Sequence, residues 1–174
     1  MAEPAGHLIM VTGPSGVGKS TITEQLHQRL GGDWLLWQSD HCQPRHHPVS
    51  ANLTPDQAMG FEERMFSANI GAIAAYLNNG WPVVAELAVM TAVEAATVRT
   101  AGQGRTMLVQ LGCSPETLAA HVQERDTPVP VDWAVSFYEQ WRNVDLPGAV
   151  RIDVNDITSS QVVDEILHRW SSQS

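Results

Sequence analysis

The stretch Gly13-Pro14-Ser15-Gly16-Val17-Gly18-Lys19-Ser20 fits G-x-x-x-x-G-K-[ST] at every fixed position. Its flanks constrain the fold. Leu8 to Val11 is a short apolar run and reads as a buried strand. Ile22, Leu26 and Leu30 then recur every four residues, the apolar stripe of a helix, which Gly31-Gly32 stops. The motif therefore sits on a strand–loop–helix turn. Glycines let a backbone wrap closely around phosphate oxygens with its N–H groups pointing inward. The helix that follows presents its positive N-terminal end to the same anion. Lys19 reaches the β- and γ-phosphates as a point charge, the Ser20 hydroxyl is a ligand for Mg²⁺, and Thr21 is an α-phosphate contact. The alternative, a glycine-rich turn without a ligand, does not account for the agreement between motif and flanks. Lys19 is also the single lysine of a chain with nine arginines.

The rest of the chain alternates strand and helix. Trp34 to Ser39 reads as a second strand ending in Asp40, followed by a loop rich in Pro, His and Asn from His41 to Thr54. Thr54 as N-cap, Pro55 at the first helical position and Gln57 open a helix running to Leu77, ended by Asn78-Asn79-Gly80 and weakened by Gly60 and Gly71. Pro82–Leu87 is a third strand, and a helix spans about Thr91 to Ala101. Thr106–Leu111 is a fourth strand, and Ser114-Pro115 opens a helix to about Arg125. A further helix covers roughly Asp132 to Arg142, Val150–Val154 is a fifth strand, and a last helix runs from near Ser159 to Trp170. The expectation is an α/β fold: a parallel sheet of five strands with helices on both faces, in one domain over residues 1–174. No repeat, low-complexity segment or linker interrupts it. In such sheets ligands bind beyond the carboxyl ends of the strands, where the phosphate loop, Asp40 and Glu86 all fall.

Composition excludes several classes. Ten basic residues face nineteen acidic ones, a formal charge of −9, which argues against a nucleic-acid binder and against an electrostatic membrane partner. No apolar run approaches the length of a membrane span, and Met1 to Gly6 does not resemble a signal peptide. Cys42 and Cys113 read as free thiols, consistent with a reducing, cytoplasmic setting.

Asp40 is placed to accept a hydroxyl proton, or to orient the oxygen, in transfer of a phosphoryl group to an alcohol; a turn aspartate or helix cap is the alternative. Glu86 is placed to orient water, metal or substrate, against the alternative of a strand-end residue facing solvent. Arg125 precedes the proline-bearing segment Asp126 to Val131, a candidate lid region at about 125–142, and can supply charge to a transferring phosphoryl group. A basic helix end favoured by the dipole is its other reading. Arg99 and Arg142 are weaker candidates. His41, Cys42, His46 and His47 invite a zinc reading, but their spacing matches no ordinary zinc site, and the loop reads instead as an acceptor-pocket wall or a polar surface. Trp133, Phe137 and Trp141 form a helical core stripe, Trp34 and Trp37 read as structural, and Asn155 to Thr158 lies beside the nucleotide base. An Asn-Lys-x-Asp guanine signature cannot exist with Lys19 as the sole lysine, which favours ATP over GTP.

With the phosphate loop, Asp40 after the second strand, the long helix and the strand Val83-Val84-Ala85-Glu86, the chain resembles the small P-loop kinases. The layout is most similar to the chloramphenicol phosphotransferase-like group and more distantly to shikimate and gluconate kinases. The resemblance implies a three-layer P-loop NTPase fold, ATP as donor, Mg²⁺, and Asp40 as base toward an acceptor hydroxyl. It departs from the family where Ala85-Glu86 stands for an acidic pair and where the lid is proline-rich rather than arginine-rich. The implied activity is phosphotransfer to a small molecule, a metabolite or an antibiotic. A nucleoside or nucleotide kinase, for which Arg45 and Arg64 are thin provision, and a nucleotide-switched ATPase or binding protein without an acceptor are the alternatives. The oligomeric state is not determined by the sequence.

Overall fold

The computed structural model describes residues 6–42, 55–102, 104–123 and 138–172. Five strands carry the fold: β1 (Leu8–Thr12), β2 (Leu35–Gln38), β3 (Val83–Glu86), β4 (Thr106–Gly112) and β5 (Val150–Asp153). The helices are α1 (Lys19–Leu30), α2 (Ser39–Cys42), α3 (Pro55–Asn78), α4 (Ala92–Thr100), α5 (Pro115–Gln123) and α6 (Ser159–Ser172). The strands form one sheet in the order β2-β3-β1-β4-β5, and every pairing is parallel. All five residues of β1, the middle strand, are buried. A strand covered on both faces has no place for polar alternation, which is why Leu-Ile-Met-Val reads as one apolar run.

Successive side chains of the strands point to opposite faces, so the core divides in two. Ile9, Val11, Val84, Met107, Val109 and Leu111 pack with Ile22 and Leu26 of α1 and with Val162, Val163 and Ile166 of α6. Leu8, Met10, Val83, Ala85 and Leu108 pack with Ile73 and Leu77 of α3 and with Ala95 and Val98 of α4. This is the expected three-layer α/β arrangement. Parallel strands need a crossover after each strand, so the loops that leave the carboxyl ends of β1, β2 and β3 gather at one edge.

The expected elements that fall within the described residues are present with small shifts. The largest is after β2, where Ser39–Cys42 forms one helical turn instead of opening a loop at His41, so that Asp40 sits on α2. The helix α3 runs 24 residues despite Gly60 and Gly71, where an added Cβ would meet nothing within 4 Å. Their cost is propensity alone, and packing of Ile73 and Leu77 offsets it. Thr91 caps α4 and forms a reciprocal capping box with Glu94. Residues 138–141 are helical, the described end of the helix expected over Asp132 to Arg142. Arg45, His46, His47, Thr54, Arg125, the segment Asp126 to Val131, Trp133 and Phe137 lie outside the described residues.

Several aromatic and basic residues are structural. Trp34 meets Trp170 edge-on with ring centroids 5.8 Å apart, and Trp37 Nε1 donates to Asn69 Oδ1 at 3.1 Å, pinning α3 to the sheet. Trp141 is buried. Arg99 lies against Gly148, in the turn leading into β5, at the end of the sheet away from the phosphate loop. Its place in the fold removes it from the site. Arg142 pairs with Glu139 at 3.1 Å, and Arg64 Nε donates to the Gly60 carbonyl at 3.1 Å. No described helix is long and apolar enough to cross a membrane.

The α1 face supports the phosphate loop, so its packing is open to a direct test. Leu26→Ala, at a fully buried position between α1 and the sheet, is expected to lower unfolding stability by about 2–5 kcal/mol. The loss is read from urea denaturation.

Candidate active site

The phosphate loop leaves the middle strand and enters α1 through Gly18, whose φ of 101° is left-handed and which offers no side-chain cap. The first N–H groups of a helix lack intrahelical partners. With no capping side chain, they are left for a ligand, and the helix dipole favours an anion there. An added Cβ at Gly18 would meet nothing within 4 Å, so glycine is required by conformation and not by space. Gly16 is different: its φ is +91°, and an added Cβ would stand 2.7 Å from Val122 Cγ2 of α5. Lys19 Nζ donates to the carbonyls of Gly13 and Pro14, each at 3.0 Å, so the ammonium lies over the loop it belongs to.

A cleft of about 440 Å³ opens on the α1–α6 side of the loop, lined by Gly18, Thr21, His121, Val154, Ile157 and Thr158 among others. Ile157 and Thr158 face the cleft, whereas Asn155 Oδ1 accepts from the Ser114 amide at 2.9 Å and ties β5 to α5. A flat ring between apolar walls, next to a phosphate cradle, is what a nucleotide base requires.

On the other side stands Glu86. It is not the solvent-facing strand end of the alternative reading: it is 3% exposed. Ser20 Oγ donates to Glu86 Oε1 at 3.0 Å. Glu86 Oε2 is buried and has no hydrogen-bond partner among the described residues. Burial pushes the Glu86 carboxyl above its ordinary range, and the Lys19 ammonium and the Ser20 hydroxyl pull it partway back. Asp40, exposed on α2, is close enough to push it up further. The structure therefore brings Lys19, Ser20, Glu86 and Asp40 together at the carboxyl ends of β1, β2 and β3.

The donor set fits Mg²⁺. A hydroxyl and a carboxylate with one unsatisfied oxygen are hard ligands, of the number that a cation retaining most of its waters needs. Zinc finds no such support among the described residues, where no three His, Cys, Asp or Glu side chains cluster. His41 and Cys42 are exposed on α2. The buried thiol Cys113 is pushed up to about 11, chiefly by burial, and is a core residue.

Two residues of this region escape the sequence reading. His121 is one position on an ordinary helix, with nothing in its spacing to mark it. Gln38 is buried at 5% exposure and donates from Nε2 to the Ser20 carbonyl and to Glu24 Oε1, each at 3.3 Å. Its signal is a polar residue at a strand position whose parity points into the core, and it is visible only once the face of β2 is known.

The raised Glu86 carboxyl has a consequence for stability. A group whose folded pKa lies above its unfolded value stabilises the fold fully below the unfolded pKa and loses that contribution as pH rises through the folded one. Glu86→Gln removes the buried charge. It is expected to raise the urea midpoint at pH 7–8 above that of the parent, with the gap closing as pH falls toward about 4. A parent and variant that track each other across the range would contradict it.

Comparison with known proteins places the chain. A family model described as an AAA domain matches residues 8–137. No curated protein sequence matches. Among solved structures, a gluconokinase from Sinorhizobium meliloti 1021 has a TM-score of 0.66 at 20% identity over 99% of each chain. The Deinococcus radiodurans tunicamycin resistance protein has a TM-score of 0.67 at 14% identity, covering 94% of this chain and 95% of its own. Thymidylate kinase from Candida albicans has a TM-score of 0.66 at 16% identity, covering 97% and 92%. At these identities the likeness concerns the fold, which is that of the small P-loop kinases. By the match over residues 8–137, which carries the phosphate loop, Asp40 and Glu86, the chain belongs to this AAA-domain family.

Proposed function

We propose that the chain is an ATP-dependent phosphotransferase that moves the γ-phosphate of ATP to a hydroxyl of a small molecule. The observation that carries this reading is the pairing of Ser20 with a buried, half-satisfied Glu86, between an uncapped α1 N-terminus and Asp40. In this reading the backbone N–H groups of Ser15, Gly16 and Gly18 together with Lys19 hold the β- and γ-phosphates, and Thr21 contacts the α-phosphate. The base occupies the cleft beside His121 and Ile157. Ser20 and Glu86 would hold Mg²⁺, which when bound neutralises charge on the phosphates. Asp40 accepts the proton of the acceptor hydroxyl as its oxygen attacks phosphorus, and the bond to the leaving ADP oxygen breaks. Arg125, at the head of the candidate lid, supplies charge to the phosphoryl group in flight.

The acceptor is a small hydroxylated metabolite or antibiotic, and the setting is the cytoplasm. Phosphoryl transfer in such sites is mostly positioning and electrostatics. A protein with one lysine meets the demand with backbone N–H groups, which are fixed in place and need no reorganisation. A nucleotide acceptor would add a second phosphate to be held. Arg64, which the sequence offers for that task, donates from Nε to the carbonyl of Gly60 in its own helix, and Arg45 lies outside the described residues.

Two variants test the assignments. Lys19→Ala is expected to abolish phosphoryl transfer while leaving the thermal midpoint near that of the parent; unchanged turnover would remove the phosphate loop from the mechanism. Asp40→Asn is expected to keep ATP affinity and to lower kcat by roughly 10²–10⁴. Acceptor phosphorylation at the parent rate would show that Asp40 is not the base.

A further inference from the structure

Gln38 is the last residue of β2, and its neighbour across the strand pair is Glu86. On β2, Leu35 and Trp37 turn toward α3 and Leu36 turns toward α1, so Gln38 points with Leu36 into the apolar α1 face. A primary amide buried there is costly unless it is hydrogen-bonded. It is bonded in a particular way. Its one NH₂ group donates to the Ser20 carbonyl in the first turn of α1 and to the Glu24 carboxylate one turn on. Ser20 in turn donates from Oγ to Glu86. The chain of contacts thus runs from β2 through α1 to β3: Gln38, Ser20, Glu86. A leucine at position 38 would satisfy the core as well, and nothing in the packing asks for an amide.

We infer that Gln38 is a positioning residue that fixes the first turn of α1 so that the Ser20 hydroxyl and the Glu86 carboxylate are held in register for a divalent cation. The inference rests on the phosphate-loop reading given above and adds to it a residue that touches neither nucleotide nor acceptor. Outer partners of metal ligands commonly affect metal affinity by about 10–100-fold through orientation alone. Gln38 acts through the helix backbone instead of through the ligand's own side chain. Asp40 follows two residues later, so the same tether references the acceptor side of the site to the helix that presents Ser20.

The test is Gln38→Met, which keeps the length and packing of the side chain and removes both donors, with Gln38→Leu as the second variant should the first fail to fold. The readout is binding of a fluorescent ADP analogue at increasing Mg²⁺, and again in EDTA, together with the thermal midpoint. The expected result is a rise of about tenfold or more in half-saturating Mg²⁺, with binding in EDTA and the thermal midpoint close to the parent. A purely structural role would move the midpoint and both binding curves together. A rise in half-saturating Mg²⁺ below about threefold overturns the inference while leaving the proposed function standing, as does loss of binding in EDTA to the same degree as in Mg²⁺. A parent protein that binds the analogue without any response to Mg²⁺ overturns both.

Discussion

A carboxylate with one satisfied oxygen and one unsatisfied oxygen, buried at the end of a strand, is the constraint around which the site is arranged. Glu86 is held there because β3 lies between β1 and β2 in a sheet whose faces are both covered. Isolated burial of a carboxylate is unfavourable and shows as a raised pKa. Ser20, Lys19 and a cation's charge are the natural compensation, and the first two are in place. The phosphate loop, the head of α1 and Asp40 are positioned relative to this group by the parallel order of the strands.

The proposed handling of a polyanion meets an acidic chain. The chain has a formal charge of −9 and one lysine. A long-range field of that sign does not steer nucleotides inward. Among the described residues, the short-range donors at this place are the loop amides, the uncapped helix end and the Lys19 ammonium over Gly13 and Pro14. Such donors are directional, so they hold phosphates in one geometry, and at physiological salt a distant charge is largely screened in any case.

The fold was legible because its signals are redundant. Apolar runs such as Leu8 to Val11, stripes such as Ile22, Leu26 and Leu30, and proline caps such as Pro55 and Pro115 each point to the same alternation of strand and helix. The phosphate loop was legible because its glycines answer to backbone geometry, as the left-handed Gly16 and Gly18 bear out. Asp40 and Glu86 could be placed at strand ends, but neither the burial of Glu86 nor the helical turn that carries Asp40 is written in local pattern. Both follow from which strands become neighbours. Gln38 and Arg99 show the same limit from opposite sides. Gln38 is a polar strand residue with no local mark of the face it occupies, and Arg99 is a basic residue whose helix ends at the edge of the sheet away from the phosphate loop.

The central claim is phosphoryl transfer from ATP to a small hydroxylated acceptor. The most direct measurement is ADP release from Mg·ATP across a panel of sugars, hydroxy acids, nucleosides and antibiotics, with the product identified by phosphorus NMR. The account predicts that one class of compound stimulates release and appears as a phosphate ester in equal amount to the ADP formed. ADP release that no compound stimulates, accompanied only by inorganic phosphate, would contradict it and would mark the chain as an ATPase without an acceptor.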